Sequence, residues 1–186
     1  MNNGHTKRRA LWIAQTAMLI ALMVTAQIFT QPYGQFVTGS TVNFILVMAC
    51  ILVGVSSGIT VGAISPIIAY MITGRPIFPV LIPFVITGNA ALAIVVHFIF
   101  AKAYVRTWDF SYVRAVLAVI VGSVAKFLVL WVGIVQVALL FIPNIMPPQV
   151  EALSHMFSWP QLVTALIGST LAMVVAPRLV KAIKTR

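Results

Sequence analysis

The basic residues of this chain fall in clusters at the borders of long apolar tracts, and that placement restricts the fold more than any motif does. Lys7, Arg8 and Arg9 precede the first tract. Lys102, Arg106 and Arg114 bracket a short polar stretch in the middle, and Arg178, Lys181, Lys184 and Arg186 close the chain. The tracts between them are long enough to cross a membrane, which takes about 20 apolar residues per helix. Approximate spans are 10–30, 41–55, 59–73, 79–104, 112–142 and 159–183. Six crossings put ten of the twelve bases on one side. The excess of Lys and Arg on cytoplasmic segments makes that side, and both termini with it, cytoplasmic. An odd number of crossings would send one terminal cluster outward. The expectation is therefore an all-α integral membrane protein, one domain over 1–186, with six transmembrane helices and a multi-pass location in a prokaryotic plasma membrane.

Composition agrees with this. Charged residues make up 8% of the chain and hydrophobic ones 61%, too little charge to coat a soluble domain. The formal net charge of +10 sits at membrane borders, where anionic headgroups explain it better than nucleic acid does. The basic start resembles a signal peptide, but its apolar run continues without a clear cleavage site and reads as a retained first helix. The lone Cys50 excludes a disulfide framework and a Cys-based metal site.

Enzymatic chemistry has little to work with. The two acids, Asp109 and Glu151, fall in loops on opposite sides, so a carboxylate pair for acid–base work is absent. His5, His97 and His155 are dispersed, there is no Walker-type phosphate loop, and no intramembrane acid is available for proton coupling. The chain is expected to be no enzyme and to need no metal or cofactor.

Polar groups inside the spans carry more information. Lys126 lies near the middle of the fifth span. An ammonium there is costly unless it faces a cavity or a partner, and with so few acids available it suits the counter-charge of an anionic ligand. Asn89, Gln136, Gln161 and Asn43 sit between mid-membrane and the outer border. Each amide orients a small polar ligand or bonds helix to helix. Trp159, Tyr33 and Phe36 lie at the outer border as interfacial anchors or as a stacking wall. Arg75 and His155 are candidates at the outer mouth. The outer connection 143–158, with three prolines, is a spacer or a lid.

On the first helix, Ala10/Ala14 and Ala17/Ala21 give two Ala-x-x-x-Ala spacings. Residues four apart share a face, and small ones let a second helix approach. These features, together with Thr38-Gly39-Ser40-Thr41-Val42-Asn43, Ile64-Ser65-Pro66 and Thr87-Gly88-Asn89, make the whole chain resemble the substrate-binding S components of energy-coupling factor (ECF) importers, a class of ABC importer. The resemblance implies vitamin or vitamin-precursor capture near the outer face, mainly by helices four to six and the outer loops. It implies docking of the Ala10, Ala14, Ala17 and Ala21 face onto a transmembrane coupling (T) subunit served by two ATPases, and release of cargo inside after the subunit topples in the bilayer. A neutral or anionic ligand fits Lys126 better than a cation. The competing classes are a standalone secondary transporter or channel, and a scaffold protein of the cell envelope.

Overall fold

The computed structural model describes residues 3–74 and 76–184. Among them, six helical stretches are long and apolar enough to cross a membrane, and the regular structure is helical throughout. The helices are α1 (Asn3–Thr30), α2 (Gln35–Leu52), α3 (Val55–Thr73), α4 (Ile82–Val96), α5 (Lys102–Thr107), α6 (Tyr112–Leu130), α7 (Pro147–Met156) and α8 (Trp159–Lys184). A π-helical turn, His97–Ala101, joins α4 to α5 into one span. A second, Trp131–Val137, and a 3-10 turn, Ala138–Phe141, prolong α6.

The second and third spans differ from the sequence expectation of 41–55 and 59–73. Helix α2 begins six residues earlier and α3 four residues earlier, giving 18 and 19 residues. The break between them falls at Val53–Gly54, where Gly54 has φ 127°, and not at Ser56-Ser57-Gly58. Those small polar residues form the first turn of α3 and hold α1. Trp12 Nε1 donates to Ser56 Oγ at 3.1 Å, and Thr16 Oγ1 donates to Ser57 Oγ at 2.9 Å. The polar start of α2 has a comparable explanation, because it faces a cavity described below.

Helix α2 is the centre of the bundle. Ile45 through Ile51 are buried without interruption, the signature of a helix covered on all sides. It packs along α8, where Gly168 makes the close approach possible. A Cβ on Gly168 would collide with the Ser40 carbonyl oxygen and would lie 2.7 Å from Asn43 Cβ and 2.8 Å from Phe44 N. None of these atoms is the end of a flexible side chain. Helix α1 is peripheral. Thr16 and Met23 are buried, while Leu11, Ile13, Met18 and Phe29 are exposed, as expected of a helix in lipid with one seam on the bundle.

Contacts define the two ends. The beginning of α1 meets the α2–α3 turn. That turn meets the α4–α5 span through a recess shared by Gly54, His97 and Lys102. The beginning of α6 meets the end of α8 through Tyr112 and Arg178. The three basic clusters therefore gather at one end. At the other end, the 143–158 connection is more than a spacer. Pro147 and Pro148 start α7, whose first turn is closed by Met146 N donating to Gln149 Oε1 at 3.0 Å. Leu153 and Phe157 are buried in a second apolar cluster with Leu81, Leu130 and Ile134. That cluster fixes the short helix over the non-basic end of the bundle.

Candidate functional site

A cavity of about 230 Å³ opens beneath α7, at the end of the bundle opposite the basic clusters. Its floor is Lys126 of α6, Asn43 of α2 and Asn89 of α4. Gln27 and Ser65 form its side, and Gln35, Gln161 and Met156 lie toward the loop end. The wall therefore takes more from α1–α3 and their connections than from the later helices, the reverse of what the resemblance implied, because α2 runs through the centre of the bundle.

Lys126 is 3% exposed. Its Nζ donates to Asn43 Oδ1 at 2.6 Å and to Asn89 Oδ1 at 2.7 Å. The interior position, and not snorkelling to the border, is what the structure shows. An ammonium has three N–H donors, so two are used and one remains. Both partners are neutral amides. The two acids of the chain, Asp109 and Glu151, are exposed, in the loop after α5 and on α7. The groups that meet its Nζ are therefore dipoles, with no carboxylate beside them.

The orientation of Asn89 follows from a proline. In an α-helix the Gly62 carbonyl would accept from the N–H of residue 66, but Pro66 has none. Asn89 Nδ2 donates to that carbonyl at 2.8 Å. With its nitrogen committed to Gly62, the amide turns its oxygen to Lys126. One side chain thus repairs α3 and holds the lysine, linking α3, α4 and α6. Lys126 extends the link to α2 through Asn43. Both hydrogen-bonding ends of Asn89 are occupied, whereas Asn43 Nδ2 is buried without a partner.

The remaining amides show a consistent polarity. Gln27 Nε2 donates to Ser65 Oγ at 3.0 Å, leaving Oε1 buried and unpartnered. Gln35 Nε2 and Gln161 Nε2 both donate to the Met156 carbonyl, at 2.9 and 3.3 Å. These two bonds tie α2 and α8 to the end of α7. Thr38 Oγ1 on the same wall is also buried and unpartnered. Such groups are rare in native interiors and call for an explanation.

Of the ten residues singled out from sequence as ligand contacts, the cavity wall brings together Lys126, Asn89, Asn43 and Gln161. Gln136 is exposed within the wide turn Trp131–Val137 and lies off the wall. Trp159, Phe36 and His155 cluster outside the cavity, with Trp159 5.6 Å from Phe36 and 5.8 Å from His155 between ring centroids. Tyr33 is 74% exposed, a position suited to anchoring at the membrane border. Arg75 lies outside the described residues. The sequence reading did not single out Gln27, Gln35 or Thr38. Gln35 lies between the spans expected at 10–30 and 41–55, and Thr38 within the first of the three motif stretches. Among the described residues no cluster of three or more His, Cys, Asp or Glu forms a metal site. Cys50 is buried, with Sγ–H donating to the Ala93 carbonyl at 3.3 Å.

Six apolar helices surrounding a small, mostly apolar cavity with a few inward polar groups define a multi-pass membrane protein with room for a solute at one end. No curated protein and no solved structure matches the chain. The family model of the ECF transporter substrate-specific component matches residues 12–180, and the chain belongs to that family.

Proposed function

We propose that this chain is the capture subunit of an importer in a prokaryotic plasma membrane. It binds a small neutral or anionic solute of vitamin or vitamin-precursor size in the cavity beneath α7 and presents it to a transmembrane coupling subunit driven by two ATPases. The observation that carries the reading is the buried, partly unsatisfied Lys126 on the cavity floor. A purely structural lysine would have its donors used or an acid beside it. Membership of a substrate-specific component family supports the same reading. In this reading the basic end is cytoplasmic and the cavity opens outward. The exposed face of α1 with Ala10, Ala14, Ala17 and Ala21 is the docking strip for the coupling subunit, because its small side chains admit a close helix.

Native mass spectrometry of the purified protein against a vitamin panel tests the proposal. One-to-one binding of a panel member supports capture. Solute uptake into liposomes that lack any coupling subunit and ATPase would overturn it in favour of a secondary transporter.

A further inference from the structure

Building on the capture reading, we infer that the solute is a monocarboxylate with hydroxyl or amide N–H groups at its other end, bound acid-first against Lys126 and Asn43. The cavity has a donor floor and an acceptor mouth. On the floor, the third N–H of Lys126 and the unpartnered Nδ2 of Asn43 are the free groups. They are neighbours, because Asn43 Oδ1 on the same amide already holds the lysine. Two adjacent donors, one of them charged, match the two oxygens of a carboxylate. Toward the mouth, Gln27, Gln35 and Gln161 have each anchored the nitrogen end of the amide through one N–H, on Ser65 or on the Met156 carbonyl. What each keeps wholly unengaged is its oxygen, which accepts, beside the second N–H of a nitrogen already anchored.

Charge sets the count. Lys126 is the one base among the described residues of the wall, and no acid lines it. One negative charge balances the described part of the wall. A phosphate ester would carry a surplus charge into neutral walls, and a cation would meet Lys126 with nothing to offset it. The cavity's small size favours a compact chain or single ring.

Matched pairs that differ only at the acid provide the test: pantothenate against pantothenol, nicotinate against nicotinamide, and biotin against biotinamide. Thiamine serves as the cation and pyridoxal phosphate as the dianion. Binding is read by titration calorimetry on the full chain in detergent with added lipid. The expected result is an acid that binds at least about tenfold more tightly than its neutral mate, the loss from removing one charged hydrogen bond. Lys126→Met is expected to bring the pair within about threefold of each other.

If Lys126→Met does not fold, Asn43→Asp tests the same point. It keeps the shape, places a carboxylate on Lys126 and is expected to abolish acid binding while leaving the unfolding midpoint at or above wild type. A neutral mate, the cation or the dianion binding as tightly as the best acid overturns this inference and leaves capture standing. So does an acid preference that survives Asn43→Asp. No binding by any acid, neutral or charged member overturns capture itself.

Discussion

The Asn89 brace makes a quantitative prediction. Asn89→Leu nearly preserves volume but removes two interactions, the oxygen that accepts from Lys126 at 2.7 Å and the nitrogen that donates to the Gly62 carbonyl at 2.8 Å. A hydrogen bond to a charged group contributes about 1.5–3 kcal/mol, and a buried carbonyl left without a donor costs about 1–3 kcal/mol. The two effects share one residue and do not simply add, so a destabilisation of about 3–4 kcal/mol is expected. Pro66→Ala separates them. It restores an N–H at position 66, which can reach the Gly62 carbonyl along the helix. In that background Asn89→Leu loses only the lysine contact and should cost about 1–2 kcal/mol less. The assay is equilibrium unfolding in mixed micelles, titrated with a denaturing detergent and followed by tryptophan fluorescence, for the four members of the cycle. Equal costs of Asn89→Leu in both backgrounds, within about 0.3–0.5 kcal/mol, would refute the claim that Asn89 stands in for the missing proline N–H.

Four further outcomes are expected. Gly168→Ala should lower stability by about 2–3 kcal/mol and weaken solute binding, because its Cβ strikes the α2 backbone beside Asn43. Gly133→Ala should cost less, since its Cβ meets only the edge of the Phe84 ring; the two unfolding midpoints decide the order. Gln136→Ala should leave solute affinity unchanged and stability within about 0.5 kcal/mol, and a weakened affinity in calorimetry would return that residue to the wall. Ala17→Trp should leave capture intact and block uptake in cells carrying the coupling subunit and ATPases. Normal uptake would move the docking face off α1.

Much of this architecture is legible in the sequence because hydrocarbon tolerates few charges. Eleven bases near tract borders and one buried lysine leave little freedom in the number of crossings. Helix ends were less legible, for a specific reason. Gln35, Thr38 and Ser40 lower the hydropathy of the first turns of α2 and so imitate a loop, yet they are helical and two of them line the cavity. Ser56 and Ser57 imitate a break and instead bind α1. A polar face turned to a cavity or a neighbouring helix and a polar loop have the same average hydropathy. Gln136 was misplaced for another reason: a π-helical turn alters the register, and nothing in Trp131–Val137 announces one from composition alone.

The deeper ambiguity concerns amides. From sequence, Asn43 and Asn89 are equivalent, since each is an asparagine in an apolar helix on the outer half of its span. Their partners separate them. Asn89 has its nitrogen on a carbonyl that Pro66 orphaned and its oxygen on Lys126, so both ends of its amide are engaged in holding the bundle. Asn43 gives its oxygen to the same lysine and keeps a buried donor unpaired beside a lysine that also has one to spare. Leaving such donors empty costs the protein stability, and a solute that fills them recovers that cost as binding energy. The part of the site devoted to recognition is therefore the part that is unsatisfied, and it is distinguished by bonds that are missing, which a residue pattern does not record.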